Sequence, residues 1–212
     1  MEEITPQKMR GFAKKLIKTD PAFEGIVNAS PLCNIALKKY SRTHFETIVV
    51  SIASQQLSSK AADTIIARVK KAAGGAINPT KIATLTDTEL RECGLSFAKI
   101  RSIREFTDAI NNKVIRFHTF PSLSNAEISE QLTSIWGIGR WTVEMFLIFH
   151  LGRLDLWPVG DLAVRRGWEK IHHLTEKTSP KDLELLGDQF AGYQSVVAWY
   201  CWRATEGDSA NW

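Results

Sequence analysis

Apolar residues recur three and four positions apart along nearly all of this chain, and the two-residue alternation of half-buried strands is almost missing. Segments with that period bury their apolar stripes by packing helix against helix, so the expected fold is all-α. "FETIVVSIASQQLSS" and "KAADTIIARVKKAAGG" read as consecutive helices, the second stopped by Gly74 and Gly75. "TDTELRECGLS" is a short helix that starts at Thr86 or Asp87 and ends at Gly94. "FAKIRSIREFTDAINN" sets Ile100, Ile103 and Phe106 on one stripe. In "SNAEISEQLTSI", Ile128, Leu132 and Ile135 share a face, and Ser124 with Glu127 has the form of a capping box. "DLAVRRGWEKIHH", "SPKDLELLGDQF" and "QSVVAWYCWRATEG" follow as further helices. Only "FETIVVSI" fits a strand as well as a helix.

The 212 residues suffice for one domain or two closely packed lobes. No apolar run reaches membrane-spanning length, and the N-terminal "MEEITPQKMRGFAKKLIK" lacks a signal-peptide core, so an intracellular setting is expected, cytoplasm, nucleoid or nucleus. Cys33, Cys93 and Cys201 lie far apart, which fits a reducing compartment. Three are too few for a four-cysteine iron–sulfur cluster or zinc ribbon within the chain. The five histidines show no metal-ligand spacing, and no catalytic metal is expected. The net charge of +4 is uneven: 19 Lys/Arg stand against 13 Asp/Glu up to Leu132, and 8 against 10 beyond it. That balance is compatible with nucleic-acid binding without demonstrating it.

Between Ile135 and Arg140 the chain reads "WGIG", a tight turn joining two helices. Gly137 and Gly139 supply backbone angles and close approach that side chains would forbid. Amides exposed where the second helix starts suit a phosphate, with no sequence reading. An ordinary corner between two helices is the alternative on these residues alone. Downstream, "LDLWPVGDLAVRRGW" places Asp161 after Pro158 and Gly160 and before an apolar-periodic segment, as a helix cap should stand. Asp155 is a nearby acid with no helix start to cap.

"LTSIWGIGRWTVEMF", with its downstream aspartate, resembles the helix-hairpin-helix DNA glycosylase superfamily, and ordered motifs carry the likeness from about Phe45 to Gly207. The resemblance implies two helical lobes flanking a DNA-binding cleft with the active site. One lobe would span about 31–131 with a minor-groove loop; the other, 1–30 plus 132–212, would hold the hairpin and the catalytic acid. It implies that Gly137, Ile138, Gly139 and Arg140 meet the DNA backbone. A sodium or potassium ion would be held by the carbonyls of Thr133, Ile135 and Ile138, and no other cofactor is required. It makes Asp161 the catalytic carboxylate, which stabilises positive charge developing on the sugar and orients the attacking water. The family often has proline before the first glycine, where this chain has Trp136, and a second acid before the catalytic one, where this chain has Gly160.

Members that also cleave the strand keep a lysine on the second hairpin helix. The matching residue here is Trp141, and no lysine occurs between Lys113 and Lys170, so a monofunctional enzyme is expected. The branch most resembled is that of the 3-methyladenine DNA glycosylases of the bacterial type II and yeast type. All seven tryptophans fall in the last 77 residues, and an electron-rich pocket suits a cationic alkylpurine. Trp141, Met145 and Tyr193 match pocket positions of that branch, Leu162 replaces a pocket tyrosine, and Trp202 is expected in the core. "SIASQQLSSKAA" resembles the loop that enters the minor groove, with Gln55, Gln56, Leu57 and Ser58 as insertion candidates, Gln56 and Ser58 foremost. The glutamines could equally bridge two helices. In "GLSFAK", Phe97 is either a second wedge or a core residue. Lys60, Lys99, Arg101, Arg140 and Arg165 are phosphate candidates. The function so implied is excision of alkylated purines from double-stranded DNA by a monomer. A glycosylase of the same fold for deaminated or mispaired bases, and a non-catalytic DNA-binding module, remain alternatives.

Overall fold

The computed structural model of the chain describes residues 3–37 and 41–205, and those residues form helices joined by turns, with no strand among them. Gly207, named above, and Trp212, the last of the seven tryptophans, lie outside the described residues. The chain divides into two compact units, Met1–Lys39 with Leu147–Trp212, and Tyr40–Phe146. The first unit contains α1 (Pro6–Thr19) and α2 (Glu24–Ala29). The second contains α3 (His44–Ser54), α4 (Ser59–Ala72), α5 (Pro79–Thr84), α6 (Asp87–Glu92), α7 (Phe97–Asn111), α8 (Asn125–Thr133) and α9 (Arg140–Met145). A π-helical turn, Phe146–His150, follows α9. The chain then completes the first unit with α10 (Leu162–Ile171), α11 (Pro180–Leu186) and α12 (Gln194–Thr205). "FETIVVSI", open to two readings in the sequence, is helical. Among the described residues no helix is long and apolar enough to cross a membrane.

Local sequence sets the helix starts. Thr43, Ser58, Thr86, Ser96, Ser124 and Asp161 each cap a helix by accepting a backbone N–H with the side chain. Each such cap contributes about 1 kcal/mol. Ser124 and Glu127 complete the expected capping box, and Thr86 and Glu89 form a second one.

In the unit Tyr40–Phe146, the stripe of Ile100, Ile103 and Phe106 on α7 is buried, with Phe106 stacked on Phe45 at 5.2 Å. His44 packs against the rings of Phe117, Phe120 and Phe146, and burial lowers its imidazole below the usual histidine value. In the other unit α12 is buried from Ser195 to Trp202, so its lack of amphipathic pattern reflects a central position. α10 crosses it at Gly167, where an added Cβ would lie 1.9 Å from the Cys201 carbonyl oxygen. Trp202, as expected, is a core residue.

The expected lobe boundaries need correction. The divisions fall after Lys39 and after Phe146, so the hairpin belongs with the 55–58 loop and not with Asp161. The reason lies in its contacts. An added Cβ on Gly137 would lie 1.9 Å from Ser102 Oγ on α7, and Gln55 Nε2 donates to the Gly137 carbonyl at 3.2 Å.

Candidate active site and nucleic-acid interface

The hairpin turn runs from the end of α8 to Gly139, the residue before α9. Ile138 N–H donates to the Ile135 carbonyl at 3.1 Å, and Gly137 takes φ +82, a conformation that side chains resist. Gly137 is therefore required by both its angle and its contact with Ser102. Gly139 differs from expectation: its φ is −87, and a Cβ there would meet nothing within 4 Å. The protein itself does not need glycine at 139, and the space outside it is open.

Gln55 reaches across to this turn, donating to the Gly137 carbonyl and, at 3.5 Å, to Thr142 Oγ1. It bridges loop and hairpin, the packing role that the sequence left open for the glutamines. Gln56 stands exposed at φ +57, a strained angle for a residue with a side chain, and Leu57 beside it is 40% exposed. Ser58 spends its hydroxyl on the Ala61 N–H as the cap of α4. Lys99 is turned inward: its Nζ donates to the carbonyls of Ala53 at 2.8 Å and Gln55 at 2.7 Å, and burial lowers its pKa. It closes the end of α3 and is not presented as a phosphate ligand. Lys60 is exposed. Phe97 is 72% exposed, with the Arg91 guanidinium 4.5 Å over its ring, so the core reading fails there. Arg140 is mostly exposed and shares its Nε with buried Glu144 at 2.9 Å. Trp141 is 54% exposed, and Met145, one turn on, is half-buried.

In the other unit, Asp161 is 8% exposed and caps α10. Its Oδ1 accepts the Val164 N–H at 2.9 Å and the Trp202 indole Nε1–H at 3.1 Å. Its own N–H donates to the Pro158 carbonyl, folding "PVGD" into the turn that delivers it. Ser195 holds the approach to that turn, bonding the backbone N–H and carbonyl of Leu156. Phe149 packs on the Trp202 ring at 5.2 Å. Leu162, the first residue of α10, is 51% exposed. Asp155 is exposed and caps no helix.

Tyr193 needs correction. It is fully buried, stacked against Phe12, edged by Phe190, bonded through its hydroxyl to Thr19 Oγ1 and covered by Lys15. It is core and presents no face to a base. Arg165, offered as a phosphate candidate, donates instead to the Thr178 carbonyl at 3.4 Å. Sequence reasoning missed the Trp202–Asp161 bond and the Phe149 contact. The one available signal was a helix too apolar to be amphipathic, carrying an indole whose N–H must find an acceptor when buried. No group of three or more His, Cys, Asp or Glu placed to hold a metal occurs among the described residues.

Residues 49–190 match the family model described as HhH-GPD superfamily base excision DNA repair protein. The chain is 36% identical over 165 residues to DNA-3-methyladenine glycosylase 1 of Schizosaccharomyces pombe, covering 76% of this chain and 72% of that one. Among solved structures, it superposes on a DNA-3-methyladenine glycosidase from Bacillus halodurans with a TM-score of 0.83 at 32% identity, covering 92% and 88% of the two chains. It likewise matches the Schizosaccharomyces pombe 3-methyladenine DNA glycosylase in complex with abasic DNA, with a TM-score of 0.77, 32% identity and coverage of 91% and 95%.

Proposed function

This chain belongs to the HhH-GPD superfamily of base excision DNA repair proteins, and from that premise we propose that it is a DNA glycosylase that removes alkylated purines from double-stranded DNA. The observation that carries the reading is the double anchoring of Asp161 by the Val164 amide and the Trp202 indole. A carboxylate so fixed needs no reorganisation to meet charge that develops beside it. The N-glycosidic bond breaks with its electron pair on the departing base, which leaves neutral because alkylation had made it cationic. Asp161 stabilises the oxocarbenium-like sugar, orients the water that adds to C1′ and takes up the proton that this water loses.

The hairpin turn, with open space at Gly139, receives the DNA backbone. Gln56 and Leu57 fill the place of the extruded nucleotide, and Phe97 wedges beside it. The exposed indole of Trp141 and the Met145 thioether contact the cationic base, a pairing worth roughly 0.5–2 kcal/mol per aromatic face. Leu162 adds an apolar neighbour to Asp161. Trp141 stands where a strand-cleaving relative keeps lysine, so the product is an intact abasic strand. A sodium or potassium ion suits the carbonyls of Thr133, Ile135 and Ile138; the Ile135 oxygen gives one lone pair to Ile138 N–H and keeps a second. Such an ion would only stiffen the turn and neutralise phosphate. The enzyme acts as a monomer inside the cell.

Incubating methylated duplex DNA with wild type and Asp161→Asn, then chromatographing free bases, tests this. Wild type releases 3-methyladenine or 7-methylguanine, and the variant is slower by about a hundredfold or more. No release of an alkylated purine by wild type, or equal rates for both proteins, overturns it.

A further inference from the structure

Trp136 has no part in the reading above. It holds the second position of the turn Ile135–Ile138, which is closed by the Ile138 amide and has Gly137 at φ +82 in third place. That is the type II pattern, in which proline is favoured at the second position because its ring sets φ in advance. Tryptophan lacks the ring but keeps an N–H that proline would not have. This N–H donates to Glu105 Oε2 at 3.2 Å. The other oxygen of Glu105 accepts from Arg101 Nε at 2.8 Å, and the Arg101 guanidinium lies over the Trp136 indole at 4.4 Å.

The contacts close a ring: backbone to carboxylate, carboxylate to guanidinium, guanidinium to indole. Arg101 and Glu105 are one turn apart on α7, and Ser102 of the same helix packs against Gly137. The hydrogen bond from Arg101, with the Trp136 amide adding to it, holds the Glu105 carboxyl below its usual range. An exposed ion pair alone fixes little, but a ring anchored on one rigid helix restricts the turn at both its side chain and its backbone. Pre-setting a binding loop raises affinity by reducing what must be ordered on binding.

We propose that Arg101, Glu105 and Trp136 form a clamp that replaces proline in fixing the hairpin turn, which makes Arg101 and Glu105 positioning residues for DNA binding. The inference rests on the hairpin being the DNA anchor. Glu105→Ala is expected to weaken affinity for an abasic duplex about tenfold and to speed amide exchange in the turn. Single-turnover base release at saturating DNA stays unchanged. In a Trp136→Pro background the same change has no effect, because no N–H remains to lose. Glu105→Gln, which keeps an acceptor for that N–H, recovers part of the loss. Equal cost of Glu105→Ala in both backgrounds, or unaltered amide exchange, overturns the clamp. Should Trp136→Pro not fold, amide exchange in Glu105→Ala decides alone. Gly139→Glu is the control for the anchor: full duplex affinity in that variant overturns the anchor reading, while exchange still reports whether the ring holds the turn.

Discussion

The indole Nε1–H of Trp202 donates to Asp161 Oδ1 at 3.1 Å, joining residues 41 positions apart on α12 and at the cap of α10. The same oxygen takes the Val164 amide, so a cap that local sequence would form alone is oriented by a second helix. Gly167 permits this, because only a glycine lets α10 approach the Cys201 backbone closely enough. Trp202→Phe keeps the ring against Phe149 and removes only the donor. A hydrogen bond to a charged group is worth about 1.5–3 kcal/mol, so base release should slow by roughly ten- to a hundredfold. Duplex affinity should not change. Single-turnover release of free base, measured beside a DNA-binding titration, checks both; an unaltered rate would show that the Val164 amide suffices.

The two hairpin glycines should separate in their effects. Gly137→Ala meets both a left-handed φ and Ser102 Oγ, and should lower stability by roughly 2 kcal/mol or more. Gly139→Ala meets neither and should leave the melting temperature unchanged while weakening duplex binding. Thermal melts and binding titrations on the pair give the comparison, and equal stability losses would contradict it.

Lys99 should behave as a structural residue. Lys99→Met removes two charge-assisted bonds to the end of α3, for a stability loss of roughly 1.5–3 kcal/mol. A phosphate-binding lysine would instead lower the salt slope of DNA binding by about 1. Urea unfolding together with affinity at several salt concentrations distinguishes the two, and an unchanged slope is expected.

His44 makes the unit Tyr40–Phe146 sensitive to acid. Burial among phenylalanines puts its folded pKa below the unfolded value of about 6.5. As pH falls through that value the unfolded chain takes up the proton first, so this contribution to stability is complete above it and is lost below. His44→Leu should flatten the fall in urea midpoint between about pH 7.5 and about pH 5.5. A fall as steep as that of wild type would rule His44 out as its source.

Much of this protein is legible in its sequence because the signals are short-range. Helical period, the caps Ser124 and Asp161, and the "GIG" turn each depend on residues within a few positions, where backbone geometry alone dictates what fits. Family resemblance adds a role for Asp161, since motif spacing survives in a linear string. Exposure and partnership do not. Phe97 lies on the surface and Tyr193 in the core, although the family resemblance offered both as functional aromatics. Lys99 faces carbonyls and Gln55 faces the hairpin, because the fold brings together positions 44 and 82 residues apart in the chain. Trp136 could be noticed in the string but not explained, since its partners Arg101 and Glu105 come from another helix. Sequence by itself determined the helices that it named from their apolar period and caps, and where the acid and the turn stand. Only tertiary packing decided what each side chain touches, because burial and hydrogen bonding between distant residues depend on how the helices are assembled.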